Sequence, residues 1–280
     1  MTAQTTLSTF VASDGDNLAV QDWPLEPGQP LRGVIIIVHG LGEHAGRYDH
    51  VARRLNHWGF AVRSYDQYGH GESGGPRGGL TSDDRLLDDL ADIVDSTRLR
   101  MKKGIPLILL GHSMGGAVTG LFVARAVRQV DALILSSPAL DPGLNAFQKL
   151  LLTILPKIAP NLRLANGLDV MKISHDPAVI EDYTKDRLVH DRISARLARF
   201  IANAGAGALA GAPRWQLPTL LLYAGADTLV NPQGSQNFSA LAPRDAVTTR
   251  CFDALYHEIF NELEAEPVFA ELKVWLDARF

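Results

Sequence analysis

The 280-residue chain has a single cysteine, Cys251. No intrachain disulfide can form, and no cysteine cluster can hold a metal. Basic charge is not in excess: 27 Lys and Arg against 31 Asp and Glu leave a net charge of -4. That balance gives no electrostatic footprint for a nucleic-acid partner and no polybasic membrane anchor. No apolar run approaches the roughly 18 residues that span a bilayer. The opening M-T-A-Q-T-T-L-S-T-F lacks the basic start and apolar centre of a signal peptide. Together these absences set the expectation of a cytoplasmic protein. No pair of carboxylates or histidines has metal-binding spacing, and no glycine-rich phosphate loop follows the first core strand, so neither a metal nor a cofactor is expected. Internal repeats and low-complexity tracts are also missing. What remains, 46% hydrophobic and 21% charged, is the balance of a globular chain long enough for one large core plus an insertion.

Periodicity predicts the order of elements. Residues 5–11 and 17–23 alternate around S-D-G-D and read as a hairpin turned by Gly15. Val34 to Val38 are continuously β-branched, the mark of a strand covered on both faces. Tyr48, Val51, Ala52 and Leu55 recur at helical spacing before Gly59. Strands follow at 60–65, 106–110, 132–136, 219–223 and 247–252. Helices are predicted through Leu86–Thr97, from Gly115 to Val127, and along the stripe Val268, Leu272, Trp275, Leu276. Alternating strands and helices predict an α/β fold, a mostly parallel sheet flanked by helices. Residues 140–212 break the rhythm. They offer no good strand, only helical pieces separated by Pro142, Pro156, Pro160, Gly167 and Pro177. The expected organisation is a core of 1–139 and 213–280 with a helical cap (lid) at 140–212.

The chemistry starts at L-L-G-H-S-M-G-G, residues 109–116. Strand, then Gly111-x-Ser113-x-Gly115, then helix is the arrangement of a nucleophile elbow. The serine must stand on a strained turn, and side chains two positions before and after it would strike the strand and the helix. The helix start supplies free N–H groups and a dipole that favours negative charge. A serine hydroxyl needs a base, and the base an orienting acid, in the chain order Ser, Asp or Glu, His. His175 and His190 fall in the cap, whereas His257 follows the last strand in D-A-L-Y-H-E and is the predicted base. Asp227, just past the strand T-L-L-L-Y, is the predicted acid, with Asp253 as its rival. Oxyanion donors are expected from the backbone N–H groups of Met114 and of Leu41, in H-G-L-G-E-H. His39 reads as a loop-shaping side chain, and Asp66, His70 and Ser73 as parts of a hydrogen-bonded turn.

The set H-G-L-G-E-H-A-G-R-Y, D-Q-Y-G-H-G-E-S, G-H-S-M-G-G, A-G-A-D-T-L-V and Y-H-E-I-F-N-E resembles the monoglyceride lipase and lysophospholipase-like group of the α/β-hydrolase fold. The likeness extends to D-P-A-V-I-E-D-Y and D-R-L-V-H-D-R-I-S-A-R. It implies the same triad, Ser113, Asp227 and His257, and the same hole, Leu41 and Met114. It further implies that Glu43, Arg47 and Tyr48 bind substrate at the polar end of the pocket, although Arg47 and Tyr48 also suit the opening of a helix. The expected activity is a serine hydrolase that splits monoacylglycerols into glycerol and fatty acid through an acyl-serine. Lysophospholipase or short-chain carboxylesterase activity is the alternative, and a non-catalytic ligand-binding protein the remote one. Two readings of the cap residues Leu144, Phe147, Leu150, Leu151, Ile154 and Leu155 stay open. They line an acyl tunnel or meet a membrane or micelle, or they pack the cap onto the core. The expected partner is a small lipid ester; oligomeric state is not encoded in any motif.

Overall fold

The computed structural model describes residues 4–141, 143 and 146–280, and of 146–149 the backbone alone. The chain opens with a hairpin, β1 (Thr6–Val11) and β2 (Asn17–Trp23), then β3 (Gly33–Val38), α1 (Asp49–His57) and β4 (Phe60–Tyr65). It continues through α2 (Arg85–Arg100), β5 (Leu107–His112), α3 (Met114–Ala124) and β6 (Ala132–Ser136). Next come α4 (Ala146–Ile158), β7 (Arg163–Ala165), α5 (Pro177–Lys185), β8 (Arg192–Ser194) and α6 (Ala195–Gly211). The chain closes with β9 (Thr219–Ala224), α7 (Pro232–Leu241), β10 (Val247–Phe252) and α8 (Glu266–Asp277).

Eight strands form one sheet in the order β1-β2-β4-β3-β5-β6-β9-β10. The pairs β1–β2 and β2–β4 are antiparallel, and every pair from β4 onward is parallel. Both faces are covered, and the strand sequences account for it. In β3, Ile35 and Ile37 face a core shared with α1 and α8, through Val51, Leu55, Leu272 and Leu276. Val34, Ile36 and Val38 face the opposite core, shared with α2, α3 and α6 through Leu86, Val118 and Ala204. A strand apolar at every position is stable only between two helical layers. Gly15 (φ 93°) turns the hairpin, and Gly59 (φ 91°) ends α1 with its N–H on Asn56 O.

Two local features differ from the sequence expectation. Residues 163–165 and 192–194 pair antiparallel as a two-stranded ribbon inside the stretch read as strandless. Three-residue strands are too short to leave a period in the sequence. Helix α7 lies over residues that show no clear stripe; it is started by Asn231, whose side chain accepts from the Gln233 N–H, and by Pro232. Helix α6 serves both the predicted cap and the core. Its Ala195 and Ala198 line a cavity, while its later residues Ala204 and Ala208 are fully buried against α3. Among the described residues, no helix is long and apolar enough to cross a membrane.

Candidate active site

Ser113 joins β5 to α3 with φ 53° and ψ -118°, a left-handed conformation that costs a non-glycine residue about 1–3 kcal/mol. The surrounding chain holds it there. Its N–H donates to Ser136 O at 3.0 Å, and its carbonyl accepts from Ala117 at 3.1 Å and Ala139 at 2.9 Å. The flanking glycines are required by close approach. A Cβ on Gly111 would lie 2.3 Å from Thr119 Oγ1, and one on Gly115 2.0 Å from Val38 O. One on Gly116 would lie 2.6 Å from Pro138 Cβ. The small residues around the serine are therefore what lets β5, α3 and β3 converge beneath it.

The loops after β9 and β10 bring Asp227 and His257 together: His257 Nδ1 and Asp227 Oδ2 are 2.6 Å apart. The other carboxylate oxygen of Asp227 accepts the N–H groups of Leu229 (2.8 Å) and Val230 (3.0 Å), which fixes its orientation. Burial works against the charged imidazole, but the Asp227 carboxylate outweighs it and holds His257 above its ordinary pKa. Burial likewise opposes ionisation of Asp227, and the His257 ring and the two amides still keep its carboxyl below the usual range. Asp253, the rival acid, is exposed and accepts from Cys251 Sγ at 3.2 Å. The His112 ring stands beside His257, with centroids 4.8 Å apart, and its Nδ1 is 3.1 Å from Ser136 Oγ. Burial and the neighbouring His257 push His112 down to about 4, so it stays neutral when His257 takes a proton.

Neither the Leu41 nor the Met114 N–H has a protein acceptor among the described residues. Both residues line, with Ser113, a cavity of about 360 Å³. The rest of that cavity is mainly aliphatic: Leu151, Leu152 and Leu155 from α4, Leu162 just before the ribbon, Leu164 within it, and Ile201 from α6. Of the predicted cap stripe, Leu151 and Leu155 line the cavity, and Leu150, Leu151 and Ile154 are exposed, so Leu151 does both. Leu144 and the side chain of Phe147 lie outside the described residues.

Glu43, Arg47 and Tyr48 do not line this cavity. Glu43 and Tyr48 are buried, and their polar atoms face one another: Tyr48 Oη donates to Glu43 Oε1 at 2.7 Å. Arg47 donates to Glu43 Oε2 at 2.6 Å and, through both terminal nitrogens, to Glu258 at 2.7 Å. It also borders a separate, more polar cavity of about 500 Å³ with His44, His50 and Asp186. The ion pair to Glu258 joins residues 211 apart in sequence and has no local signal. The turn after β4 is held together by its own side chains. The Asp66 carboxylate accepts from Ala45 N–H (2.8 Å) and Glu72 N–H (2.7 Å), and Ser73 Oγ donates to Asp66 O. His70 is buried within it, and burial pushes its pKa well down.

Comparison with known proteins adds an independent line. The family model described as Hydrolase_4, serine aminopeptidase S33, matches residues 29–264. The chain is 32% identical over 271 residues to a monoacylglycerol lipase of Mycolicibacterium smegmatis, covering 96% of this chain and 95% of that one. It is 31% identical over 260 residues to phospholipase YtpA of Bacillus subtilis, covering 91% and 98%. A crystal structure of a soluble variant of Saccharomyces cerevisiae monoglyceride lipase with a substrate analog superposes with a TM-score of 0.88 at 25% identity, covering 99% of this chain and 96% of that one.

Proposed function

The chain belongs to the serine aminopeptidase S33 family of α/β-hydrolases, and from that premise we propose that it is a carboxylic ester hydrolase that cleaves monoacylglycerols to glycerol and a free fatty acid. The observation that carries the substrate class is the aliphatic cavity opening directly onto Ser113. A single acyl chain fits such a lining, and a short polar ester would leave it unfilled. The monoacylglycerol lipase of Mycolicibacterium smegmatis, similar along nearly its whole length, supports the same head group.

In this reading Ser113 Oγ attacks the ester carbonyl carbon while His257 Nε2 takes its proton. Asp227 holds the ring through Nδ1 and stabilises the imidazolium. The N–H groups of Leu41 and Met114 receive the oxyanion, the kind of electrostatic stabilisation that usually contributes most to the rate. Collapse of the tetrahedral species breaks the bond to the glycerol oxygen, and His257 returns the proton to the leaving alcohol. Water, deprotonated by His257, then cleaves the acyl-serine and releases the acid. The segment 140–212 acts as the lid. Its exposed Leu150, Leu151, Ile154 and Ile158 form the face that meets a micelle or membrane surface while lipid enters.

The likeness to a phospholipase favours one second reading, lysophospholipase activity on the same acyl pocket. A substrate panel separates them: kcat/KM for a monoacylglycerol, a lysophosphatidylcholine and a short-chain ester. The proposal expects the glyceride to exceed both others by at least about tenfold, the smallest ratio that one added contact supplies. A lysophospholipid preference would move the head group and leave the acyl chemistry intact.

A further inference from the structure

Leu41 can serve as an oxyanion donor only if its N–H points at the attacked carbonyl, and a glycine-flanked loop does not hold that direction by itself. The structure supplies the constraint from both sides of Gly40. On one side, the Gly40 N–H donates to Glu43 Oε1 at 2.5 Å. On the other, His39 Nδ1 is 2.7 Å from Gly40 O. The tautomer follows from the network: Gln67 N–H donates to His39 Nε2 at 2.9 Å, so Nε2 is the acceptor and Nδ1–H the donor. Gln67 Nε2 donates in turn to His39 O at 2.7 Å, clamping the end of β3 to the end of β4. His39 is fully buried, and burial keeps its ring neutral, as the donor–acceptor arrangement needs.

The consequence is geometric. In a planar trans peptide, the carbonyl and the following N–H point in opposite directions. Holding Gly40 O on His39 therefore turns the Leu41 N–H away from His39, and Leu41 itself lines the cavity with Ser113. The approach is close, since a Cβ on Gly40 would lie 3.2 Å from Ser113 Cβ. Glu43 is itself fixed. Burial opposes its charge, yet Arg47 and nearby imidazoles hold the carboxyl at about 2. Arg47 then runs the constraint to Glu258, the neighbour of His257, and stacks on Tyr183 of α5 at 4.7 Å.

We propose that His39 and Glu43 are positioning residues for the oxyanion hole, locking the two peptides of Gly40 so that the Leu41 N–H faces the carbonyl attacked by Ser113. This assigns Glu43 to the chain's own backbone, where the motif resemblance had implied a contact to the glycerol group. The inference rests on Leu41 being a hole donor and is independent of which head group is cleaved.

The test measures kcat and KM of Glu43→Ala, Glu43→Gln and His39→Phe on a monoacylglycerol and on the p-nitrophenyl ester of the same acyl chain. Alongside, it measures inhibition by a trifluoromethyl ketone of that chain, which forms a tetrahedral oxyanion on serine, and a thermal melt. Outright removal of one oxyanion donor costs about 10²–10³ in kcat, so misdirecting one is expected to cost about 10- to 100-fold. That loss should appear on both esters with KM unchanged and be matched by weaker ketone binding. Glu43→Gln, whose amide oxygen still accepts the Gly40 N–H, should recover most of it. Loss confined to the glyceride with a raised KM would overturn the proposal in favour of a head-group contact. Unchanged kcat in folded Glu43→Ala and His39→Phe would reduce both residues to loop packing. Should Glu43→Ala not fold, His39→Phe, which removes the Nδ1–H donor to Gly40 O, makes the same comparison through the ketone affinity. Wild-type turnover of the nitrophenyl ester alone would remove the glyceride reading, and the losses on that ester would still decide this one.

Discussion

At the scale of single residues, the His257–Asp227 pair sets the pH behaviour. In the proposed mechanism His257 must be neutral to accept the serine proton, and its folded pKa is held above the ordinary value by Asp227. The acidic limb of kcat/KM is thus expected above about pH 6.5, the unperturbed imidazole value, with activity rising with pH through it. Stability runs the other way. A histidine whose folded pKa exceeds its unfolded one stabilises the fold fully below about pH 6.5, and that contribution is lost as pH rises through the folded value. Asp227→Asn should shift the limb to lower pH and cut kcat by about 10⁴, as loss of the orienting acid does in serine triads. A pH–rate profile beside a pH–melt series checks both; a limb unmoved in Asp227→Asn would dissociate the two residues. The elbow at Ser113 and the meeting of Asp227 with His257 were legible in sequence because each residue closely follows a strand, so its position is set by local order. The Arg47–Glu258 pair and the His39–Gln67 clamp were not, because each joins segments that only the folded sheet brings together.

At the scale of elements, the elbow is the decisive unit. Strand β5, Ser113 and α3 form a turn whose backbone strain is held by Ser136, Ala117 and Ala139, and whose compactness depends on glycine. Gly115→Ala would place a methyl 2.0 Å from Val38 O, a backbone atom with little room to retreat. The expected cost is about 1–3 kcal/mol from overpacking, read as a lower urea midpoint, together with a fall in kcat as Ser113 and the Met114 N–H shift. Wild-type stability and activity in Gly115→Ala would mean the convergence of β3 and α3 is looser than described. The inner sheet strands were readable because a parallel sheet covered on both faces needs apolar runs, as in Val34–Val38, and the two hairpin strands because they alternate around the Gly15 turn. The ribbon β7–β8 was not, since three residues cannot establish a period, and α7 was masked by its mixed face.

At the scale of the whole molecule, the sheet and its two helical layers form a platform, and residues 140–212 contribute most of the aliphatic wall above Ser113. Ala198 and Ala202 of α6 line that wall, where larger side chains would fill it. Ala202→Leu is expected to lower kcat/KM for long acyl esters by about tenfold or more and to leave acetyl and butyryl esters unchanged. An equal effect at all lengths would place the acyl chain elsewhere. That residues 140–212 add no strand to the main sheet was visible in sequence, but the cavity was not, because its lining is assembled from α4, α6, the ribbon and the loops after β3 and β9. The proposed activity is that of an acyl-serine hydrolase of glycerides centred on Ser113. Glycerol release from a monoacylglycerol by the wild type and by Ser113→Ala, with lysophosphatidylcholine in parallel, tests it most directly. Turnover of the glyceride by the wild type is expected, with a loss of at least about 10⁴-fold in a folded Ser113→Ala protein. Undiminished glycerol release in Ser113→Ala, or no release by the wild type, would contradict it.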